Sequence, residues 1–154
     1  MDLHHSHHHD ASLNSLAFSA TLHCLTGCAA GEILGMIIGT AFGWSNLGTV
    51  AISIVLAFAF GYTLTSIPLI KAGLPLATVG SLALASDTLS ITTMEIVDNG
   101  FMLLVPGAID ATLSDALFWV SLAAAMVIAG GCAYPVNRWL LARGKGHAVV
   151  HEYH

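Results

Sequence analysis

The stretch that decides the fold is residues 21–43, TLHCLTGCAAGEILGMIIGTAFG. It is long enough to cross a bilayer as a helix, which takes about 20 apolar residues. Within it a glycine recurs at every fourth position from Gly27 to Gly43. Residues four apart lie one turn above each other on nearly the same face of a helix. The stretch therefore predicts a transmembrane helix whose glycine zipper packs closely against a neighbouring helix.

The composition places the rest of the chain in a membrane as well. Of the 154 residues, 56% are hydrophobic and only 8% are charged, whereas a soluble domain carries about 25% charged residues. Four apolar runs each exceed the length of a helical span, at residues 16–44, 47–67, 74–97 and 116–141. We expect an all-α, polytopic protein with four transmembrane helices in a bundle, surrounded by a lipid bilayer.

The few basic residues predict the orientation. Lys71 lies between the second and third apolar runs, while Arg138, Arg143 and Lys145 lie in or after the fourth. Four crossings put both termini on the side of Lys71, and positive residues favour the cytoplasm. We therefore expect a His-rich cytoplasmic tail at residues 1–15, a transmembrane domain at 16–142, and a basic, His-containing cytoplasmic tail at 143–154.

A second stripe on the first span carries reactive side chains. Cys24, Cys28, Glu32 and Met36 follow one another at intervals of four residues, next to His23. Thiolates and thioethers are soft ligands that select Cu(I), and imidazole binds copper and zinc. A lone membrane cysteine is more often a small buried hydrophobe, but this combination favours metal ligands. Because the stripe drifts by about 40° per step, we expect a ladder of sites completed by neighbouring helices or subunits.

The third span is polar between residues 86 and 99. At 100° per residue, Asp87, Met94 and Asp98 fall within about 20° of one another, while Glu95 is displaced by roughly 80°. Counted from the start of each span, Glu32 and Asp87 reach similar depths. We expect these two carboxyl groups to pair near the middle of the membrane, where they share a proton or hold a cation.

The end of the third span predicts a turn. Asp98-Asn99-Gly100 is a strong turn signal, and the apolar residues 101–107 that follow are too short to span. We interpret them as an interfacial or re-entrant piece. Asp98, Asp110 and Asp115 would then form an acidic mouth that concentrates cations.

Most of the nine histidines lie in the two tails, a composition typical of metal-binding tracts. A purification tag is the alternative for the N-terminal tract. Ser6 interrupts that tract and aspartates flank it, which favours a native segment. The predicted accessory ligands are His4, His5, His7, His8, His9, His147, His151 and His154.

These patterns predict a protein that binds and transports a soft metal cation, copper(I) first, with silver, mercury or zinc as other candidates. We expect a homo-oligomer, dimer or trimer, a cytoplasmic metal carrier as a possible partner, and no nucleic acid. The predicted metal-site residues are His23, Cys24, Cys28, Glu32, Met36, Asp87, Met94 and Asp98.

Three other classes of function stay open. A haem or redox-cofactor protein would use His23 as an axial ligand. An intramembrane enzyme would use Asp87, Glu95 and Asp98, but the sequence holds no Ser/His/Asp set, phosphate-binding glycine loop or metalloprotease motif. We therefore do not expect an enzyme. A structural subunit of a membrane complex would tolerate substitution of the cysteines and of Glu32.

Three segments together resemble a bacterial membrane family, domain-of-unknown-function family 4396. They are His23-Cys24-x-x-x-Cys28, the polar residues 86–99 and Arg143-Gly-Lys-Gly-His147. The resemblance extends from about residue 21 to residue 147. It implies a protein of the bacterial inner (plasma) membrane and brings no activity with it.

A weaker resemblance links the opening MDLHHSHH to the eukaryotic high-affinity copper importers. Those proteins have a His/Met-rich N-terminus, a Met-x-x-x-Met transmembrane helix, a His/Cys tail and a trimeric pore. This chain has four predicted spans and no Met-x-x-x-Met pair. The likeness is therefore an analogy of parts.

Overall fold

The computed structural model describes residues 3–143, and the side chains from residue 13 onward. The described chain is all helical, as predicted, and contains four α-helices. The predicted tail ligands His4, His5, His7, His8, His9, His147, His151 and His154 lie outside the described side chains. The helices are α1 (Leu3–Phe42), α2 (Asn46–Lys71), α3 (Leu76–Leu104) and α4 (Ala116–Ala142).

Three of these helices are long and apolar enough to cross a membrane. They are α2, α4 and the part of α1 from Leu13 to Phe42. The fourth, α3, has 29 residues and therefore extends for about 43 Å, which is also sufficient. Its three acidic residues set it apart in composition, and it buries all three inside the bundle, at Asp87, Glu95 and Asp98.

The glycine zipper of α1 packs against α2 of the same chain. A Cβ atom added at Gly27 would lie 3.0 Å from Gly61 Cα, and one added at Gly31 would collide with the backbone of Ala57. Further along, Gly35 and Gly39 meet Ser53 and Thr49. The predicted close packing is therefore confirmed, and it joins α1 and α2 as an antiparallel pair. Since α2 covers the glycine stripe, the neighbouring stripe of α1, about 100° further around the helix, can face α3.

Gly43 does not continue this packing. Its φ angle is +63°, and a Cβ added there would meet no atom within 4 Å. Glycine adopts this left-handed conformation at little cost, so Gly43 ends α1 and starts the turn into α2. Ser45 then caps α2 by accepting a hydrogen bond from Gly48 N–H at 3.3 Å.

The predicted turn at Asp98-Asn99-Gly100 is wrong, because α3 continues to Leu104. The Asn99 side chain donates to the Glu95 carbonyl oxygen at 2.9 Å. This bond within the helix uses the amide that would otherwise stabilise a turn. The predicted re-entrant piece is also wrong, because residues 101–104 form the last turn of α3. The predicted acidic mouth loses Asp98, which is fully buried.

Residues 105–115 connect α3 to α4 as an irregular loop. Trp119 donates its indole N–H to the Leu113 carbonyl oxygen at 2.9 Å. Asp115, exposed at the start of α4, accepts hydrogen bonds from the backbone and hydroxyl of Thr112. These two donors hold the pKa of Asp115 below its ordinary value.

The lysine and arginine residues of the described chain lie at the opposite end of the bundle. Lys71 lies in the last turn of α2, and Arg143 caps α4. Arg138 donates to Asn14 Oδ1 near the start of α1, at 2.7 Å. Positive charge is therefore grouped at the end where α1 begins and α4 ends.

The glycine contact predicts a selective loss of stability. We expect Gly31→Ala to lower the thermal unfolding midpoint in detergent, because overpacking a well-packed contact costs about 1–3 kcal/mol. The matched control is Gly131→Ala on α4, where an added Cβ meets no atom within 4 Å. Alanine at position 131 should leave the unfolding midpoint unchanged or raise it, because alanine favours a helix more than glycine does. Equal midpoints for the two variants would contradict the packing of α1 on α2.

Candidate functional site

A sulfur–sulfur contact joins α1 to α3 in the centre of the bundle. Cys28 Sγ donates to Met94 Sδ at 3.9 Å, and both side chains are 0% exposed. Cys24 lies one turn earlier on α1, also buried, beside Asp87 and Ser90. Three of the predicted soft ligands, Cys24, Cys28 and Met94, therefore come together at one interface.

A group of carboxyl side chains lies next to these sulfur atoms. Glu32 is one turn beyond Cys28 on α1 and faces Asp98 of α3. Glu95 lies beside the Cys28 thiol, and one of its oxygens accepts a hydrogen bond from Asn99 at 3.3 Å. The structure therefore forms a layer of three acidic groups directly above the sulfur pair.

Apart from contacts within the layer and with Cys28, several of its oxygens have no hydrogen-bond partner among the described residues. They are Glu32 Oε1, Glu95 Oε1 and both carboxyl oxygens of Asp98. An acidic side chain at the centre of a membrane helix costs about 3 kcal/mol on insertion scales. Two unit charges about 4 Å apart repel by about 4 kcal/mol at an effective dielectric constant of 20. The layer therefore requires protons, water or a cation.

A second polar group lies on the other side of the sulfur pair. The Thr65 hydroxyl is 3.2 Å from His23 Nε2 and also interacts with Asp87. Ser86 donates to Asp87 Oδ1 at 2.8 Å. Thr65 thus connects α1, α2 and α3 at the level of His23.

A cavity of about 250 Å³ opens on the carboxyl layer from the loop end of the bundle. Glu32 and Asn99 line it at the inner end, together with Met36. Near its mouth, Asn46 donates to Asp110 Oδ1 at 2.6 Å. The cavity is lined more by apolar than by polar groups, but its carboxyl, amide and hydroxyl groups offer hydrogen-bond partners, and it is large enough to hold several water molecules. It gives the interior carboxyl groups a route to the loop end.

The interior polar groups form a column along the bundle. The column begins near the end that carries the basic residues, with a buried hydrogen bond from Asn137 to Thr21 at 2.9 Å. The next layers are the His23 group, the sulfur pair and the carboxyl layer. The column ends in the cavity. The column lies between α1, whose glycines pack against α2, and the polar face of α3.

The predicted pairing of Glu32 with Asp87 is wrong. Glu32 faces Asp98, and Asp87 lies beside Cys24 instead. The Cys28–Met94 contact sets a parallel register in which α3 is shifted by about two helical turns from the level expected from the starts of the apolar runs. Counting inward from those starts assumed that both helices begin at the same depth.

Met36 is separate from the other predicted sulfur ligands. It is half-buried and lines the cavity, whereas Cys28 and Met94 lie deeper. Within residues 13–143, no three His, Cys, Asp or Glu side chains converge closely enough to hold a metal ion.

Sequence reasoning missed Glu95 and Thr65 as members of the column. The helical-wheel angle placed Glu95 off the face of Asp87 and Asp98, but the buried face of α3 is wide enough to include it. Thr65 was overlooked because α2 carries scattered hydroxyl groups. Thr65 lies four residues after Gly61, which packs on Gly27 of α1. This spacing puts Thr65 on the same face of α2, toward α1.

The fold and this column define an α-helical membrane protein with buried thiol and carboxyl groups at one helix interface. The chain belongs to the family described as domain of unknown function, DUF4396, which matches residues 14–146. The predicted family resemblance is therefore confirmed. No curated protein and no solved structure is significantly similar to the chain, so the analogy to copper importers gains no support.

Burial predicts different reactivity for the three cysteines. Cys24 and Cys28 are buried, whereas Cys132 is exposed on α4. A small, membrane-permeant maleimide should label Cys132 in the folded protein and all three cysteines after denaturation. Mass spectrometry of the labelled peptides measures this difference. Labelling of Cys28 as fast as Cys132 in the folded protein would contradict the buried sulfur pair.

Proposed function

We propose that this protein binds a soft transition-metal cation, copper(I) first, between α1 and α3 and transports it across the membrane. The observation that carries the proposal is the buried contact of Cys28 Sγ with Met94 Sδ at 3.9 Å. Thiolate and thioether sulfur are the protein ligands that select Cu(I). Buried thiol and thioether groups on facing helices supply these ligands without any rearrangement of the backbone.

The separation of the sulfur atoms suits a shared metal ion. With metal–sulfur bonds of about 2.3 Å and a tetrahedral angle, two sulfur ligands lie about 3.8 Å apart. The observed distance of 3.9 Å is close to this value. Cys24, one turn away, is the natural third ligand. A site of two thiols and one thioether also agrees with the lack of a three-residue His, Cys, Asp or Glu group among the described side chains.

The surrounding groups suit movement of a cation along the column. Binding of Cu(I) to Cys28 as a thiolate releases the thiol proton, and the Glu95 carboxylate beside it can accept that proton. His23 and Asp87 lie on one side of the sulfur pair, and the cavity lies on the other. Ligands on both sides allow a metal ion to leave the pair in either direction.

The orientation, location and assembly of the protein form part of the same proposal. The basic end of the bundle, which carries Lys71, Arg138 and Arg143, favours a cytoplasmic location for both termini. The protein would then be a transporter of the bacterial inner membrane and not an enzyme. Self-association into a dimer or trimer and delivery by a cytoplasmic metal carrier are extensions of this proposal. Haem binding stays an alternative that rests on the sequence alone.

Copper content tests the proposal directly. The full chain, purified under reducing conditions and loaded with Cu(I) against a competing chelator, should retain at least one more copper ion than its Cys28→Ser and Met94→Leu variants. Because the histidine tails are identical in all samples, the difference reports the interior site. Elemental mass spectrometry measures the metal content.

Matched controls separate this site from sulfur elsewhere. Met36→Leu removes a thioether that lines the cavity, and Cys132→Ser removes the exposed thiol. Both variants should bind as much copper as the unaltered protein. Equal copper in the unaltered protein and in Cys28→Ser would rule out the proposed site.

A further inference from the structure

At the inner end of the cavity, Glu32 pairs with a second buried carboxyl group, Asp98. Glu32 is only 9% exposed but lines the cavity, and its Oε1 atom receives no hydrogen bond. Asp98 faces Glu32, is 0% exposed, and has the Glu32 carboxyl group as the one partner of its side chain among the described residues. Two buried carboxyl groups from α1 and α3 therefore converge, and water in the cavity can reach the pair through Glu32.

The walls of the cavity supply no compensating positive charge. The charged residues among its lining are Glu32 and Asp110, both acidic. From α2, Thr49 and Ser53 contribute hydroxyl groups, and from α4 Phe118 contributes an aromatic ring. The lysine and arginine residues of the described chain lie at the other end of the bundle. A cation that enters the cavity therefore meets no competing ammonium or guanidinium group there.

The chemistry of these groups selects a type of cation. Carboxylate oxygen is a hard ligand that suits Mg²⁺ and Mn²⁺, in contrast to the soft sulfur pair. Ca²⁺ takes about 6–8 oxygen ligands, whereas Mg²⁺ keeps several waters and binds through one or two carboxylates. Two carboxylates beside a cavity that can hold water match the second pattern.

We infer that Glu32 and Asp98 form a second cation site, separate from the sulfur pair, which binds a hydrated Mg²⁺-type divalent cation taken up through the cavity. The two carboxylates each supply an oxygen, the cavity supplies water ligands, and the ion neutralises two buried charges. This site goes beyond the proposed copper function and does not rest on it, because it uses no sulfur ligand.

Mn²⁺ is a suitable probe because it is paramagnetic and shares the oxygen-ligand preference of Mg²⁺. Electron paramagnetic resonance on the full chain in detergent should detect one Mn²⁺ that excess Mg²⁺ displaces. Glu32→Gln and Asp98→Asn keep the size of each side chain and remove its charge. Each should weaken the binding of this ion at least tenfold. The bound Mn²⁺ should also show exchangeable water protons in its first coordination sphere.

Two controls separate this site from other acidic groups and from the sulfur pair. Asp115→Asn removes an exposed carboxylate near the same end of the bundle, outside the cavity lining, and should leave Mn²⁺ binding unchanged. Cys28→Ser should also retain Mn²⁺ while it loses Cu(I). Retention of Mn²⁺ in a protein that binds no Cu(I) would support this site and reject the copper proposal.

The inference fails under clear conditions. Unaltered protein that binds no more Mn²⁺ than folded Asp98→Asn and Glu32→Gln would overturn it. Bound Mn²⁺ without any water ligand would also overturn it, because the ion would then lie outside the hydrated cavity. Thermal unfolding midpoints establish that each variant is folded before its metal binding is compared.

Discussion

The constraint on which this structure depends is the cost of holding carboxyl groups inside an apolar bundle. Glu32, Asp87, Glu95 and Asp98 are all buried, and ionised side chains in such surroundings require protons, hydrogen bonds or counter-ions. The protein gathers these groups along one interface instead of dispersing them. The described exposed faces of α1 and α3 are thereby left without carboxyl groups, and the cavity connects the carboxyl layer to the loop end through Glu32.

The two stripes of α1 make this arrangement possible. The glycine stripe lets α2 approach so closely that an added Cβ at Gly31 would collide with Ala57. The neighbouring stripe then carries Cys24, Cys28 and Glu32 to the polar face of α3. One helix thus provides both the packing surface and the reactive groups. Its sequence period of four residues serves both purposes, because the two stripes are parallel.

Much of this arrangement could be predicted from sequence. Composition and run length predicted the helices, and the glycine spacing predicted close packing of α1. The spacing of Cys24, Cys28 and Glu32 predicted one stripe at a helix interface, and all three side chains are buried there; their role as metal ligands stays a prediction. The predicted end of α3 was wrong because the Asn99 side chain makes its hydrogen bond to a carbonyl oxygen within the helix. Local turn propensity takes no account of that bond.

The partners of individual side chains were harder to predict. They depend on the relative height of α1 and α3, which are not adjacent in sequence. A shift of about two turns moves Asp87, expected within one turn of Glu32, away from it and brings Asp98 opposite. Hydropathy marks where an apolar run begins but does not fix the depth of that point within the bundle. A single contact, Cys28 with Met94, supplies the missing register.

The two sites that we propose differ in ligand chemistry although they are one helical turn apart. Sulfur at Cys28 and Met94 suits a soft cation, and oxygen at Glu32 and Asp98 suits a hard one. Because the ligand atoms differ between the two sites, each site can select its cation independently of the other. Both proposals depend on the same claim, namely that residue 28 of α1 lies level with residue 94 of α3.

Cross-linking tests that register most directly. In a background with Cys24→Ser and Cys132→Ser, Met94→Cys should form a direct disulfide with native Cys28 on treatment with a small oxidant, detected by mass spectrometry of the joined peptides. Ser86→Cys, which would lie level with Cys28 in the register expected from the apolar runs, should not. Efficient linkage through position 86 and none through position 94 would contradict the structure of the column and both sites built on it.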